Sequence, residues 1–228
     1  MTNKATLLLC TCAALFSTQA ISASEHSVSA NAAASSNYFW RGITQSDDGA
    51  AVSGGIDYSH DSGFYIGTWA SNVDFGDTSS TSYELDFYLG FSGEVKALSY
   101  DVGYIHYAYP DAAGDIDFGE VYGALGWRNV SLKVSYMTHA QSDSSTEEDM
   151  LYVELSAAFP VFTDAELGLH IGNSSGDTVM EWTGEDDSYM DYGVSLSKDA
   201  YTFGLVKTDL DADDDLKVYV SYAIDFDL

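Results

Sequence analysis

The run ELDFYLGF (Glu84–Phe91) puts Glu84, Asp86, Tyr88 and Gly90 on one parity and Leu85, Phe87, Leu89 and Phe91 on the other. Successive side chains point to opposite faces of a strand, so the run reads as a strand with one acidic and one apolar face. Three more runs repeat the pattern. VSLKVSY from Val130 sets Val130, Leu132, Val134 and Tyr136 against Lys133 and two serines. LYVELSAAF from Leu151 sets five apolar residues against Tyr152, Glu154 and Ser156. AELGLHIG from Ala165 sets Glu166, Gly168, His170 and Gly172 against Ala165, Leu167, Leu169 and Ile171. Helical spacing fits none of them.

Working outward, twelve such segments can be marked: 28–44, 51–60, 63–75, 83–95, 98–109, 116–128, 130–139, 150–160, 164–173, 189–198, 201–208 and 216–228. Their connections alternate in length. HDSG, GEVKA, RN, PVFTD and SKDA are short; TQSDDGA, FGDTSSTS, YPDAAGDID, AQSDSSTEED, NSSGDTVMEWTGEDDS and DLDADDD are long and mostly acidic. An outer-membrane barrel has short turns on the periplasmic side and long loops outside. The expected fold is therefore all-β: an antiparallel up-and-down transmembrane β-barrel of about twelve strands. A hydrocarbon core demands a closed sheet, because every backbone polar group must be paired there. An even strand count keeps both termini on the periplasmic side. LKVYVSYAIDFDL (Leu216–Leu228) alternates to its last residue, which suits both barrel closure and recognition by the barrel-insertion machinery. Tyr38, Tyr83, Tyr109, Tyr192, Tyr201 and Tyr222 stand near segment ends, where an interfacial aromatic girdle would lie. The rival reading is a soluble periplasmic barrel or sandwich.

Residues 1–23 read as a cleaved Sec-type signal peptide. Lys4 precedes an apolar run from about Ala5 to Phe16, and cleavage after Ala23 fits, with Ala20 a weaker option. The barrel then occupies residues 24–228. Cys10 and Cys12 leave with the signal, so no thiol or disulfide remains. Lys4 leaves too, and 36 acids then face seven cations. An aromatic content of 14% with only two prolines excludes a disordered acidic tail. Nothing basic is available for nucleic acid.

The stretches SNYFWRGITQS (Ser36–Ser46) and GFYIGTWASNVDF (Gly63–Phe75), followed by ELDFYLGFSGE and SYDVGYIHYAYP, resemble the TorF-type porin family. This proteobacterial outer-membrane family is also known by its Gcw_chp domain. The resemblance covers nearly all of the chain beyond the signal. It implies an outer-membrane location and a channel; the first reading of that channel is passive diffusion of small hydrophilic solutes. It implies neither a particular substrate nor catalytic residues.

If the apolar faces meet lipid, the opposite faces line the lumen. The candidate pore-lining residues are Asp57, Glu84, Asp86, Glu120, Lys133, Glu154, Glu166, His170, Asp191 and Lys217, with Arg41. Such a lining favours cations or neutral solutes over anions. The alternatives are a filled, non-conducting barrel with a structural or adhesive role, or the soluble β protein. Arg41, one of only two arginines, lies opposite Trp40 by alternation. It is expected to turn from lipid toward wall carboxylates such as Glu84 or Asp57, bracing the wall rather than forming a positive constriction. Arg128 reads as an anchor beside a periplasmic turn. The five histidines (His26, His60, His106, His139, His170) share no metal-ligand spacing, so neither an enzyme nor a cofactor is expected. Asp209, Asp211 and Asp213 begin like a calcium loop, but its glycine and final glutamate are missing. Acidic loops of this kind suit weak divalent-cation binding, and through it contact with lipopolysaccharide.

Overall fold

A computed structural model describes residues 26–76, 79–140, 149–184 and 187–228. The expected signal peptide, and part of the AQSDSSTEED loop, lie outside the described residues. In chain order the elements are β1 (His26–Ser35), β2 (Phe39–Trp40), β3 (Ile43–Thr44), β4 (Ala51–His60), β5 (Phe64–Asn72), β6 (Tyr83–Val95) and β7 (Leu98–Ala108). They continue with β8 (Phe118–Trp127), β9 (Val130–Ala140), β10 (Leu151–Val161), β11 (Ala165–Ser175), α1 (Asp177–Thr183), β12 (Ser188–Lys198), β13 (Tyr201–Thr208) and β14 (Lys217–Asp227).

Twelve of these strands close into one antiparallel barrel in sequence order, with β1 sealing against β14. The seam pairs Ser29 with Asp227, Ala32 with Ile224 and Ser35 with Ser221. Each remaining strand pairs with its neighbours in sequence, and β1 pairs with β4 across the short pair β2–β3. One β-bulge lies between Gly119 and Glu120. An eleven-residue strand is about 36 Å long at 3.3 Å per residue, enough when tilted to cross an apolar band about 25 Å tall.

The parity expected from ELDFYLGF holds. Glu84 and Asp86 are buried, while Leu85 is half-buried and Phe87, Leu89 and Phe91 are exposed. Outward rows of the same kind run around the barrel, including Val52, Ile56, Val102, Leu125, Leu132, Leu155, Val194 and Val220. A wall whose outside is apolar and whose inside carries acids is inverted relative to a soluble core. The lower end has tight turns. Arg128 sits in one of them at φ 57, with its guanidinium over the Trp127 ring at 4.7 Å.

Three expectations need correction at the upper, long-loop end. The first segment does not run as a strand to residue 44. β1 stops at Ser35, and residues 36–46 turn into the barrel as the β2–β3 hairpin. Arg41 (φ 50) and Gly42 (φ 84) make its tip, where a Cβ on Gly42 would stand 2.7 Å from both Asp191 Cβ and Thr208 Cγ2. Only glycine fits a positive φ with wall atoms that close. TQSDDG is thus not simply an outward loop: Ser46 is buried, and Asp47 and Asp48 reach the surface. Tyr38 and Tyr109 are not girdle residues, because both are buried inside. Tyr83, Tyr192, Tyr201 and Tyr222 do face outward, the last two paired with ring centroids 4.9 Å apart. Finally, NSSGDTVMEWTGEDDS contains a helix, α1, closed by the left-handed Gly184.

The largest apolar cluster lies inside this upper end. Trp40 from the hairpin meets Tyr107 and Phe118 edge-on at 6.2 and 5.9 Å, and Trp182 of α1 packs on both Trp40 and Phe118. Met137, Met150, Val179, Tyr189 and Leu210 complete it. The hairpin and α1 together plug the upper lumen.

Candidate functional site

The tip of the hairpin brings Arg41 into the wall. Its Nη2 donates to both Glu120 oxygens, at 2.6 and 2.7 Å. The guanidinium lies between two rings, 4.1 Å from Trp40 and 4.3 Å from Tyr152. Tyr189 Oη donates to the Arg41 carbonyl at 3.1 Å, fixing the backbone. Arg41 is 7% exposed, and its Nη1 is buried with no hydrogen-bond partner. A buried pair of this kind is costly to desolvate and costlier to break from one side. The expected bracing role has the right character, but the carboxylate is Glu120 and not Glu84 or Asp57.

Glu84 is satisfied by hydroxyls instead, accepting from Tyr38 at 2.8 Å and Tyr109 at 2.7 Å. Asp86, two residues along the same inward face and 2% exposed, keeps Oδ1 buried without a partner. Of these three neighbouring acids only Glu120 is paired with Arg41. On the far wall His170 Nε2 lies 2.7 Å from Asp191 Oδ1, which also accepts from Tyr152 Oη at 3.3 Å. Glu154 is buried nearby, cross-strand from Lys133.

The lower lumen is built differently. Asp57 accepts from Tyr88 Oη and from Asn31 Nδ2. Asp101 accepts from Tyr65 Oη at 2.7 Å, and Tyr65 Oη also meets Tyr122 Oη. The Lys133 ammonium sits 4.6 Å from the Tyr122 ring centre. These rings lie against glycines directly across the ladder: Tyr88 on Gly67, Tyr65 on Gly90, Tyr122 on Gly103. His170 on Gly193 and Tyr219 on Gly204 repeat the arrangement. A Cβ at any of these glycines would overlap the ring. Glycine therefore lets an aromatic ring lie flat along the wall instead of projecting inward.

Of the eleven candidates, ten sit on inward parities of the barrel strands. Lys217 stands at the upper rim, where it holds Asp48 of the plug loop (both oxygens at 2.9 Å) and Asp213 at 3.0 Å. The hydrogen bond from Lys217 keeps the Asp48 carboxyl below its ordinary range. Glu166 is half-buried near the lower end, and Arg41 comes from the loop. Missed by sequence reasoning were Asp101, the tyrosine–glycine pairs and the part played by α1. The signal for the pairs was present in Tyr88 and Gly90, which share the inward face of ELDFYLGF. Asp209 and Asp213 do not converge: the first accepts from the Met190 amide at 2.6 Å and the second pairs with Lys217. Among the described residues no cluster of three or more His, Asp or Glu is placed to hold a metal ion.

A family model described as a bacterial protein of unknown function (Gcw_chp) matches residues 19–226. The sequence has no match among curated proteins. Among solved structures, the KdgM porin aligns at a TM-score of 0.54 and 10% identity, covering 85% of this chain and 98% of its own. The NanC porin aligns at 0.53 and 10%, covering 88% and 100%. A KdgM porin in complex with disordered oligogalacturonate aligns at 0.53 and 10%, covering 86% and 98%. At such identity the likeness concerns the fold: a twelve-stranded porin barrel.

Proposed function

We propose a function for a chain that belongs to the Gcw_chp family: it is an outer-membrane channel, not an enzyme, passing small hydrophilic solutes by passive diffusion and favouring cations. Export by the cleaved signal at 1–23 delivers it to the insertion machinery, and its outward rows rest against lipid and lipopolysaccharide. The observation that carries this reading is the wall itself. Apolar rows face out and a row of carboxylates (Asp57, Glu84, Asp86, Glu120, Glu154, Asp191) faces in. The selectivity follows from charge. Oligogalacturonate, found with the KdgM porin, is a polyanion. A carboxylate lining repels such a solute and concentrates cations.

A second reading, a non-conducting barrel with a structural role, is favoured by one observation: hairpin and α1 fill the upper lumen. Reconstitution in planar bilayers under a KCl gradient separates the two. The channel reading expects conductance with a reversal potential on the K⁺ side. Folded, heat-modifiable protein that never conducts overturns it in favour of the structural barrel.

A further inference from the structure

Arg41 occupies a site whose carboxylate and one stacking ring come from the barrel wall. Glu120 sits on β8 and takes both hydrogen bonds from one guanidinium nitrogen. Tyr152, on β10, supplies one stacking face. Asp86 on β6 adds a buried oxygen with no hydrogen-bond partner. Carboxylate below and ring beside form a cage for a planar cation. The hairpin contributes only the occupant and Trp40, which closes the open face.

We infer that this cage is a recognition site for small organic cations bearing a guanidinium or amidinium group, and that Arg41 fills it as a tethered stand-in. A solute of that class competes with Arg41 for Glu120, and the hairpin yields the upper lumen when it wins. The inference deepens the channel reading, naming a class of solute and the way the plug gives way. Simple ammonium ions fit less well, because they cannot present a flat face to Tyr152 while donating to both carboxylate oxygens.

The test uses the purified, refolded barrel as wild type, Arg41→Ala, and Arg41→Ala combined with Glu120→Gln. The probes are argininamide and methylguanidinium, with tetramethylammonium as a cation lacking N–H donors. Argininamide is expected to raise the melting temperature of Arg41→Ala with a dissociation constant on the order of 1 mM. In wild type, where Arg41 competes, the response should need a several-fold higher concentration, and the double variant should not respond at all. In bilayers Arg41→Ala should conduct several-fold more than wild type and be blocked by argininamide over the same range. No shift in Arg41→Ala, an equal shift in the double variant, or an equal response to tetramethylammonium overturns the inference. If Arg41→Ala does not refold, Arg41→Lys takes its place, since lysine cannot reproduce the stacked, two-oxygen contact. If no variant conducts, the channel reading fails while the melting shift still decides the site.

Discussion

At the upper end of the lumen, Glu84 and Glu120 are satisfied by groups from outside the wall ladder: Arg41 and Tyr38 from the hairpin, with Tyr109 beyond the end of β7. At the lower end, Asp57 and Asp101 are satisfied by Tyr88, Tyr65 and Asn31, all on barrel strands. Both regions keep acids away from bulk water, and both supply donors as burial demands. The upper solution depends on a segment that can leave, whereas the lower one is built into the ladder. A loop that withdraws from the upper end leaves carboxylates exposed to a solute. Nothing comparable can withdraw from the lower end without unzipping the sheet.

The most severe way to break this contrast is to remove Glu120. Glu120→Ala strands Arg41 without its anion, a loss of about 3–5 kcal/mol at a buried pair. The expected result is loosening of the hairpin with the barrel intact. Hydrogen exchange should speed at residues 38–46 and stay slow in β6 to β8. Equal acceleration in both would show that plug and wall are one unit.

Next comes the wall. Gly90→Val drives a side chain into the Tyr65 ring, and overpacking of this kind costs about 1–3 kcal/mol. The melting temperature should fall and the displaced ring should narrow the lumen, lowering conductance. Gly114→Ala, where a Cβ meets nothing within 4 Å, is the control and should change neither. A smaller effect is expected for Tyr88→Phe, which removes one hydrogen bond from Asp57 and costs about 1 kcal/mol. Thermal melting checks it, with hairpin exchange unchanged.

The smallest effect concerns the rim. Asp48 holds its charge below the ordinary carboxylate range because of Lys217. A carboxylate depressed in this way stabilises above its unfolded pKa, and that contribution fades as pH falls through the folded value. The pair is exposed, so under about 1 kcal/mol is at stake, and salt weakens it further. Hairpin exchange should therefore quicken below about pH 4 in wild type. Asp48→Asn should lack that component, and a full acid response in the variant would exclude the rim clamp.

Much of the barrel was legible because a strand between lipid and lumen writes its environment on alternate residues. ELDFYLGF announced both faces, and the expected ends of 83–95 and 201–208 coincide with those of β6 and β13. The hairpin was illegible for the same reason. SNYFWRGIT alternates passably as strand, and no local rule says that Trp40 and Phe39 will fold inward rather than continue upward. What decides it is tertiary: Gly42 must meet Asp191 and Thr208, and Arg41 must meet Glu120, contacts from strands far along the chain. Tyr38 and Tyr109 were misread likewise, since a tyrosine at a strand end looks the same whether its hydroxyl seeks headgroups or a buried Glu84. Helix α1 was hidden in a polar loop because only Val179 and Thr178 of its seven residues are buried.

The order in which contacts close bears on how the barrel is made. Arg41 and Glu120 are separated by 79 positions, whereas Val220 and Ser36, at the seam, are separated by 184. Shorter loops close at lower entropic cost, so the hairpin can dock on β6 to β8 while the sheet is still an open, curling ribbon. In that order the plug is a mandrel for the first half of the sheet, and the last strands complete its seat when Asp191 and Thr208 close on Gly42.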